Sequence, residues 1–532
     1  MVGGLAALLA SGAATTLWTH GAWAFALVVP ILLIGAADML QTRQAVRRNF
    51  PLIGRARYLL EAIRPEINQY FVESNTSGTP FSREVRSLVY QRAKNAIDTL
   101  PFGTERDVYE TGYEWINHSI RARHASEHSP RVSIGSKSCQ QPYLASVLNV
   151  SAMSFGALSH AAVSALNRGA KMGGFAHNMG EGGLSPYHLE GGDLVWQLGT
   201  AYFGARDADG RFSDEQFAKR ATLEAVKMIE IKLSQGAKPG HGGILPAAKL
   251  TPEIAEIRGV PLGRDVLSPP AHTAFDTPIE LLEFLARLRR LSGGKPVGFK
   301  LCVGKRSEFL AICKAMLETG ILPDFITVDG AEGGTGAAPL EFSNVVGTPL
   351  VEGLVFVHNS LAGIGVRAHV RVLASGRVMT GFDIAHKLAI GADAVNSARA
   401  MMFALGCIQA RRCNTNACPT GVATQNPELV RGLVVGDKAT RVANYHRNTV
   451  KAFCEILAAA GLDHPRELRP WHVVRRVSPT EVRTYADIFD YLEPGELLGS
   501  HVSEAYRRAW LAARPDSFSG SAPADTARAA RA

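Results

Sequence analysis

The chain has 532 residues, 46% of them hydrophobic and 20% charged, values that exclude a wholly disordered protein. That length exceeds one ordinary domain, although α/β barrels run longer as single units. A formal charge of +9 suits a phosphate ligand or an anionic surface, but it is spread too thinly to indicate nucleic acid.

No charged side chain occurs before residue 38, and residues 16–37 supply the roughly 20 apolar positions that a membrane span needs. The basic n-region of a signal peptide is missing. Residues 1–40 are therefore expected to be a transmembrane anchor, one span or a hairpin of two if Leu5 to Trp18 forms a first helix. Arg43, Arg47 and Arg48 follow at once, which places the rest of the chain on the cytoplasmic side of the cell membrane. A buried core helix is the alternative. Residues 41–145 carry helical periodicity and mixed charge, broken by Ser74 to Pro80, and read as a helical entry segment.

From about 146 to 430 short apolar strands alternate with helical patterns. Residues 148–151, 229–232, 297–300, 325–328 and 370–373 read as strands, and residues 281–291 and 383–390 as helices between them. Some 280 residues of such repeats predict a TIM-type (β/α)8 barrel of the α/β class, with the N-terminal transmembrane segment and helical extensions attached. The absence of GxGxxG argues against a classical dinucleotide-binding domain. Residues 431–512 read as a helical extension, and the Ala/Arg/Ser/Pro-rich residues 513–532 as a disordered tail.

Barrel enzymes carry their chemistry at the C-terminal ends of the strands, and the informative runs lie there. Ser151 to Ser159 is rich in small residues that let backbone approach a flat ligand, and Ser154 offers a donor and an acceptor. Glu181 stands among glycines in Gly180 to Gly183. Lys232 to Gly243, with Gln235 and Lys238, ends a strand in cations that suit a dicarboxylate or phosphate. Lys300 closes an apolar strand, where a lysine needs an anionic partner, either a reduced flavin ring or a carboxylate on a neighbouring strand. Asp329 to Gly336 follows the next strand. Gly376 with Arg377, and then Ala398 with Arg399, fit a phosphate held by the last two strand ends. Cys407, Cys413 and Cys418, the last followed by Pro419, cannot close a tetrahedral zinc site but suit a [3Fe-4S] cluster; incidental thiols are the alternative.

Residues 151–425 resemble the FMN-binding synthase domain of glutamate synthase. The likeness rests on Ser151 to Ser159, the Lys232-to-Gly243 loop, Gly333-Gly334-Thr335-Gly336-Ala337-Ala338-Pro339, and Cys407 through Cys418 to Gln425. It implies FMN at the barrel mouth and a [3Fe-4S] cluster beside it. In that family 2-oxoglutarate and ammonia give 2-iminoglutarate, which reduced FMN converts to L-glutamate. By motif, Glu181 resembles the carboxylate that manages protons, and Gln235, Lys238 and Arg258 the groups that hold the oxo acid. Lys300 resembles the lysine beside the flavin, with Met153, Ser154, Asp329, Gly333, Gly334, Gly376, Arg377, Ala398 and Arg399 as its further neighbours. Cys407, Cys413 and Cys418 resemble the cluster ligands.

The expected reaction is therefore reductive amination of 2-oxoglutarate, with ammonia or another amine and with electrons from a partner such as a ferredoxin or a reductase. Ile244 and Gly259 stand where polar residues are expected near the substrate. That departure opens two alternatives: an N-methylglutamate synthase-like enzyme using methylamine, and a membrane-anchored electron-transfer module.

Overall fold

The structure, a computed structural model, describes residues 6, 9–13, 22–500 and 502–519. It divides into two compact units, Met1–Arg83 and Glu84–Ala532. In the first unit the chain forms helices Ala22–Leu40, Ala45–Asn49 and Gly54–Ile67, the last running on into a wider turn over Asn68–Val72.

The expected membrane span is not supported. Residues 14–21, where it would begin, lie outside the described residues, as does most of the Leu5-to-Trp18 run. Among the described residues no helix is long and apolar enough to cross a membrane. Ala22–Leu40 contains Pro30 and carries Asp38 near its end. That carboxylate is buried; it accepts from Arg47 Nε at 2.9 Å, Arg55 Nε at 2.7 Å and the Leu52 amide at 3.1 Å. Arg55 foremost, then Arg47, outweighs burial and holds Asp38 below the usual carboxylate range. Arg47, read as a charge flanking a span, thus turns back onto the helix before it. The expected tail also lies, beyond residue 519, outside the described residues.

In the second unit eight parallel strands close a barrel: β1 (Leu148–Val150), β2 (His177–Asn178), β3 (Leu194–Leu198), β4 (Val226–Lys232), β5 (Val297–Leu301), β6 (Phe325–Asp329), β7 (Arg371–Ser375) and β8 (Ala394–Ser397). The eighth pairs with the first, Asn396 beside Asn149, which is the TIM-type closure. Buried side chains fill nearly every strand position, as a sheet covered on both faces demands. Helices follow the strands with deliberate starts. Ser159 caps α1 (His160–Gly173), and capping boxes open α2 (Pro278–Leu291) at Thr277/Glu280 and α3 (Gly381–Ala389) at Thr380/Asp383.

Two stretches read as helical contain strands. Arg131–Ile134 and Tyr143–Ser146 form an antiparallel hairpin, and its Ile134 and Ala145 pack on Val195, Met228, Phe325, Leu373 and Ala394. Those five residues begin or nearly begin their strands, so the hairpin stops the N-terminal end of the barrel. Glu114–Ile116 pairs with Val473–Ser478, which pairs in turn with Glu481–Thr484. Among the described residues the C-terminal end of the barrel carries no such hairpin. After β8 the chain makes α4 (Val435–Ala459), which lies on α1 so closely that a β-carbon at Gly169 would sit 2.7 Å from Val442.

Candidate active site at the mouth of the barrel

The barrel register sets the charged groups side by side. Lys300 on β5 stands level with Lys232 on β4 and Thr327 on β6. The loop after β4 then crosses to the loop after β6, and a β-carbon at Gly236 would meet the Gly330 carbonyl at 1.8 Å. Only glycine allows that crossing. The Gly236 amide donates to Asp329 Oδ2 at 3.0 Å, which fixes the crossing in place.

On one side of the mouth lies a single carboxylate among cations. Glu181 pairs with Lys232 Nζ, which also reaches Gln235 Oε1 at 3.3 Å. Burial pushes the Glu181 carboxyl up, but Lys232, then Lys238 and Arg258, outweigh it and hold the carboxyl below its ordinary range. Its Oε2 is buried without a hydrogen-bond partner. Lys238 is buried and donates to the Ala337 carbonyl at 2.9 Å; burial lowers its pKa to about 8. Arg258 donates to the Phe155 carbonyl at 3.0 Å and lies 5.1 Å over the Phe203 ring, with its Nε unpartnered. Burial lowers Arg258 to about 10. Gly259, the departure noted in the sequence, is the left-handed residue that ends helix Pro252–Arg258, at φ 61°. Its identity follows from that turn.

On the other side a single cation lies among carboxylates. Lys300 Nζ is 2.9 Å from Asp329 Oδ2. Burial draws Lys300 down, but Asp329 and then Glu230 outweigh it and raise its pKa. The second partner expected for this lysine, a carboxylate on a neighbouring strand, is therefore present, and it accounts for the burial of the lysine without a flavin. Glu230, which sequence reasoning missed, is buried on β4 and accepts from Asn178 (2.8 Å), Gln197 (2.5 Å) and Thr327 (2.6 Å). His272 was also missed. Its ring bridges the Tyr202 hydroxyl and the Lys232 carbonyl, each at 2.9 Å, and burial lowers it to about 4.

The loops after β6, β7 and β8 meet as well. The Arg399 side chain lies against Gly334 and donates to the Glu332 carbonyl at 2.8 Å. Burial lowers Arg399 to about 10, and Arg377 beside it adds to the effect. Gly333 packs on the Gly330 carbonyl and Asp329, and Gly376 borders Gly330. Met153 and Ser154, on the loop after β1 beside β8, have Gly180 against them. Ala398 stands at the start of helix Arg399–Leu405.

Cys407, Cys413 and Cys418 are free thiols on one loop whose Gln409, Arg411 and Asn416 take left-handed φ values of 58°, 56° and 60°. Cys413 and Cys418 both act on Cys407, whose thiol burial pushes up to about 12. Burial raises Cys418 too, but the Thr420 hydroxyl and the amides of Ala423, Thr420 and Val422 outweigh it and lower the pKa. Among the described residues no group of three His, Cys, Asp or Glu side chains is gathered tightly enough for a metal ion. Lys249, buried next to this loop, donates to the carbonyls of Ala157 (2.5 Å) and Cys413 (3.3 Å).

A closed parallel barrel with its ionisable groups at the C-terminal mouth defines an α/β-barrel enzyme. Residues 101–463 match the family model described as the conserved region in glutamate synthase. The chain belongs to the glutamate synthase family and is a glutamate synthase-like oxidoreductase. It is 37% identical over 494 residues to the glutamate synthase large subunit-like protein YerD of Bacillus subtilis, covering 85% of this chain and 94% of that one. It is 35% identical over 319 residues to the archaeal glutamate synthase [NADPH] of Methanocaldococcus jannaschii, covering 60% of this chain and 59% of that protein. The NADPH glutamate synthase large chain of B. subtilis is 33% identical over 319 residues, 58% of this chain and 20% of that one.

Proposed function

We propose that the chain carries out reductive amination of 2-oxoglutarate to L-glutamate, using FMN and a [3Fe-4S] cluster, with ammonia and electrons supplied by partners. The observation that carries this reading is the charge balance around Glu181: one carboxylate faces Lys232, Lys238 and Arg258. A dicarboxylate brings two negative charges into such a cavity, and each needs a cation at short range to offset the water it loses. Lys238 and Arg258 hold the two carboxylates, and Gln235 orients the oxo group.

Glu181 is ionised and has an unpartnered oxygen, so it can accept a proton from the attacking amine and return one to the departing hydroxyl as water leaves. Lys232 keeps that carboxylate charged before the first transfer and after the second. FMN, when bound, supplies the hydride that reduces the imine carbon. Gly333, Gly334, Gly376, Arg377, Ala398 and Arg399 would hold its phosphate and ring edge, Met153 and Ser154 one side, and Lys300 with Asp329 the region of the ring that gains charge. Cys407, Cys413 and Cys418 would hold the cluster, which relays single electrons; three free thiols on one loop, with amides directed at Cys418, suit thiolate ligands.

Methylamine is the second reading. Ile244 follows Gly243, which lies against Glu181, and is the aliphatic departure that motivates this reading. A reduced-enzyme assay over a panel of 2-oxo acids with ammonium or methylamine tests both. Oxidation of the flavin with 2-oxoglutarate and ammonium supports the first reading, and oxidation with methylamine alone supports the second. Redox activity with neither leaves an electron-transfer module. A place at the inner face of the cell membrane is the third part of the proposal. Trp23, Leu27, Leu33 and Leu40 are exposed in the first unit, close in sequence to Arg43 and Arg48. Co-sedimentation with anionic vesicles tests it.

A further inference from the structure

Lys249 lies outside the set of groups assigned to substrate or flavin, yet it is only 2% exposed. It sits in the short turn Ala247–Lys249 that leads to helix Pro252–Arg258. Its ammonium donates to two backbone carbonyls and, among the described residues, forms no ion pair with any carboxylate. Of the other buried lysines of the mouth, Lys232 and Lys300 each pair with a carboxylate, and Lys238, which donates to a carbonyl, still feels Glu181. A buried ammonium satisfied only by carbonyl dipoles keeps most of its desolvation cost unless another anion lies near. Its ammonium meets the cysteine loop at the Cys413 carbonyl, 3.3 Å away, so an anionic cluster held by that loop would be the charge nearest to it.

The two carbonyls are informative in themselves. Ala157 belongs to the loop after β1, which begins with Met153 and Ser154, and Cys413 belongs to the cysteine loop. The same two loops are stitched together again by Gln425, whose Nε2 donates to the carbonyls of Gly156 (3.1 Å) and Leu158 (2.8 Å). Asn416, between Cys413 and Cys418, donates to the Ala248 carbonyl at 2.7 Å. The cysteine loop therefore cannot move independently of the turn that carries Lys249.

We infer that Lys249 is an electrostatic tuning residue for the iron–sulfur cluster: a fixed positive charge, wedged between the cysteine loop and the loop after β1, that favours the more negative, reduced state of the cluster. This rests on the cluster reading given above. Each electron that arrives adds negative charge in a medium of low dielectric, so removing the nearby cation makes reduction harder.

The test uses the purified full-length holoenzyme and titrates the cluster potentiometrically, following the electron paramagnetic resonance signal of its oxidised form. Lys249→Gln keeps a donor for the carbonyls and removes the charge; Lys249→Arg keeps the charge. With iron and acid-labile sulfide retained, Lys249→Gln should lower the reduction equilibrium constant at least tenfold, a 59 mV shift for one electron. Lys249→Arg should stay within a few-fold of wild type. A Lys249→Gln variant that loses its cluster while Lys249→Arg keeps it also supports the charge assignment. An unchanged midpoint in Lys249→Gln overturns it, and so does loss of the cluster in both variants, which would make Lys249 a structural strut. Wild-type protein without acid-labile sulfide would strike down the cluster reading itself, and the two failures are thereby told apart.

Discussion

The two sides of the barrel mouth use the same residue types in opposite proportions. Beside Lys300 two carboxylates, Asp329 and Glu230, surround one cation, and each has its hydrogen bonds: Asp329 from Gly236, Glu230 from three side chains. Beside Glu181 three cations surround one carboxylate, and both Glu181 Oε2 and Arg258 Nε are buried without partners. One side is complete as it stands; the other has positive charge and hydrogen-bonding capacity in excess. Buried polar groups are almost always satisfied, so the unsatisfied side is the one built around something that arrives.

The largest break in that comparison should come from Glu181→Gln. It removes the one proton acceptor on the incomplete side and should cut turnover by roughly 10²–10⁴-fold while flavin content stays normal. Steady-state kinetics beside flavin quantitation decides it; a turnover within a few-fold of wild type would remove Glu181 from proton transfer. On the complete side the cost should appear as stability. Lys300→Met leaves Asp329 without its partner and should destabilise the fold by about 3–5 kcal/mol in urea titrations. An unchanged unfolding free energy in Lys300→Met would mean that the pair is not structural.

Arg258→Lys sharpens the contrast at a smaller magnitude. It keeps the charge but gives up the planar fork, and KM for the oxo acid should rise by the equivalent of about 1.5–3 kcal/mol, with cofactor content unchanged. An unaltered KM would take Arg258 out of the substrate site. The smallest effect is one of pH. Lys238 must be protonated to attract a carboxylate, and burial has lowered it to about 8, so 2-oxoglutarate should bind more weakly as pH rises through that value. Dissociation constants measured by flavin absorbance from neutral to alkaline pH should show the loss, and Lys238→Arg should abolish it.

The sequence made the complete side only half legible. Residues 297–300 and 325–328 read as strands because they are short apolar runs, and the structure places β5 and β6 there. Lys300 was conspicuous for the same reason, as a charge in apolar company. Glu230 was not, because its three partners come from β2, β3 and β6, and only closure of the barrel brings them to one point. β2 has just two residues, too few for any periodicity to register, and β3 was likewise passed over. The glycine-rich loops could be recognised from composition alone, whereas the crossing of Gly236 over Gly330 is a contact between residues far apart in the chain. In the first unit the error ran the other way. An apolar run followed by arginines has the look of an anchor, and nothing local reveals that Asp38 collects Arg47 and Arg55.

The contact of α1 with α4 bears on how the chain is made. α1 buries one flank against a helix that begins only at Val435, so that flank has no cover until most of the barrel has left the ribosome. At roughly 5–20 residues per second, α1 waits on the order of tens of seconds for its partner. During that interval an Ala-rich surface is open to any passing chain, and the yield of active protein in a cell should depend on what shields it until translation reaches α4.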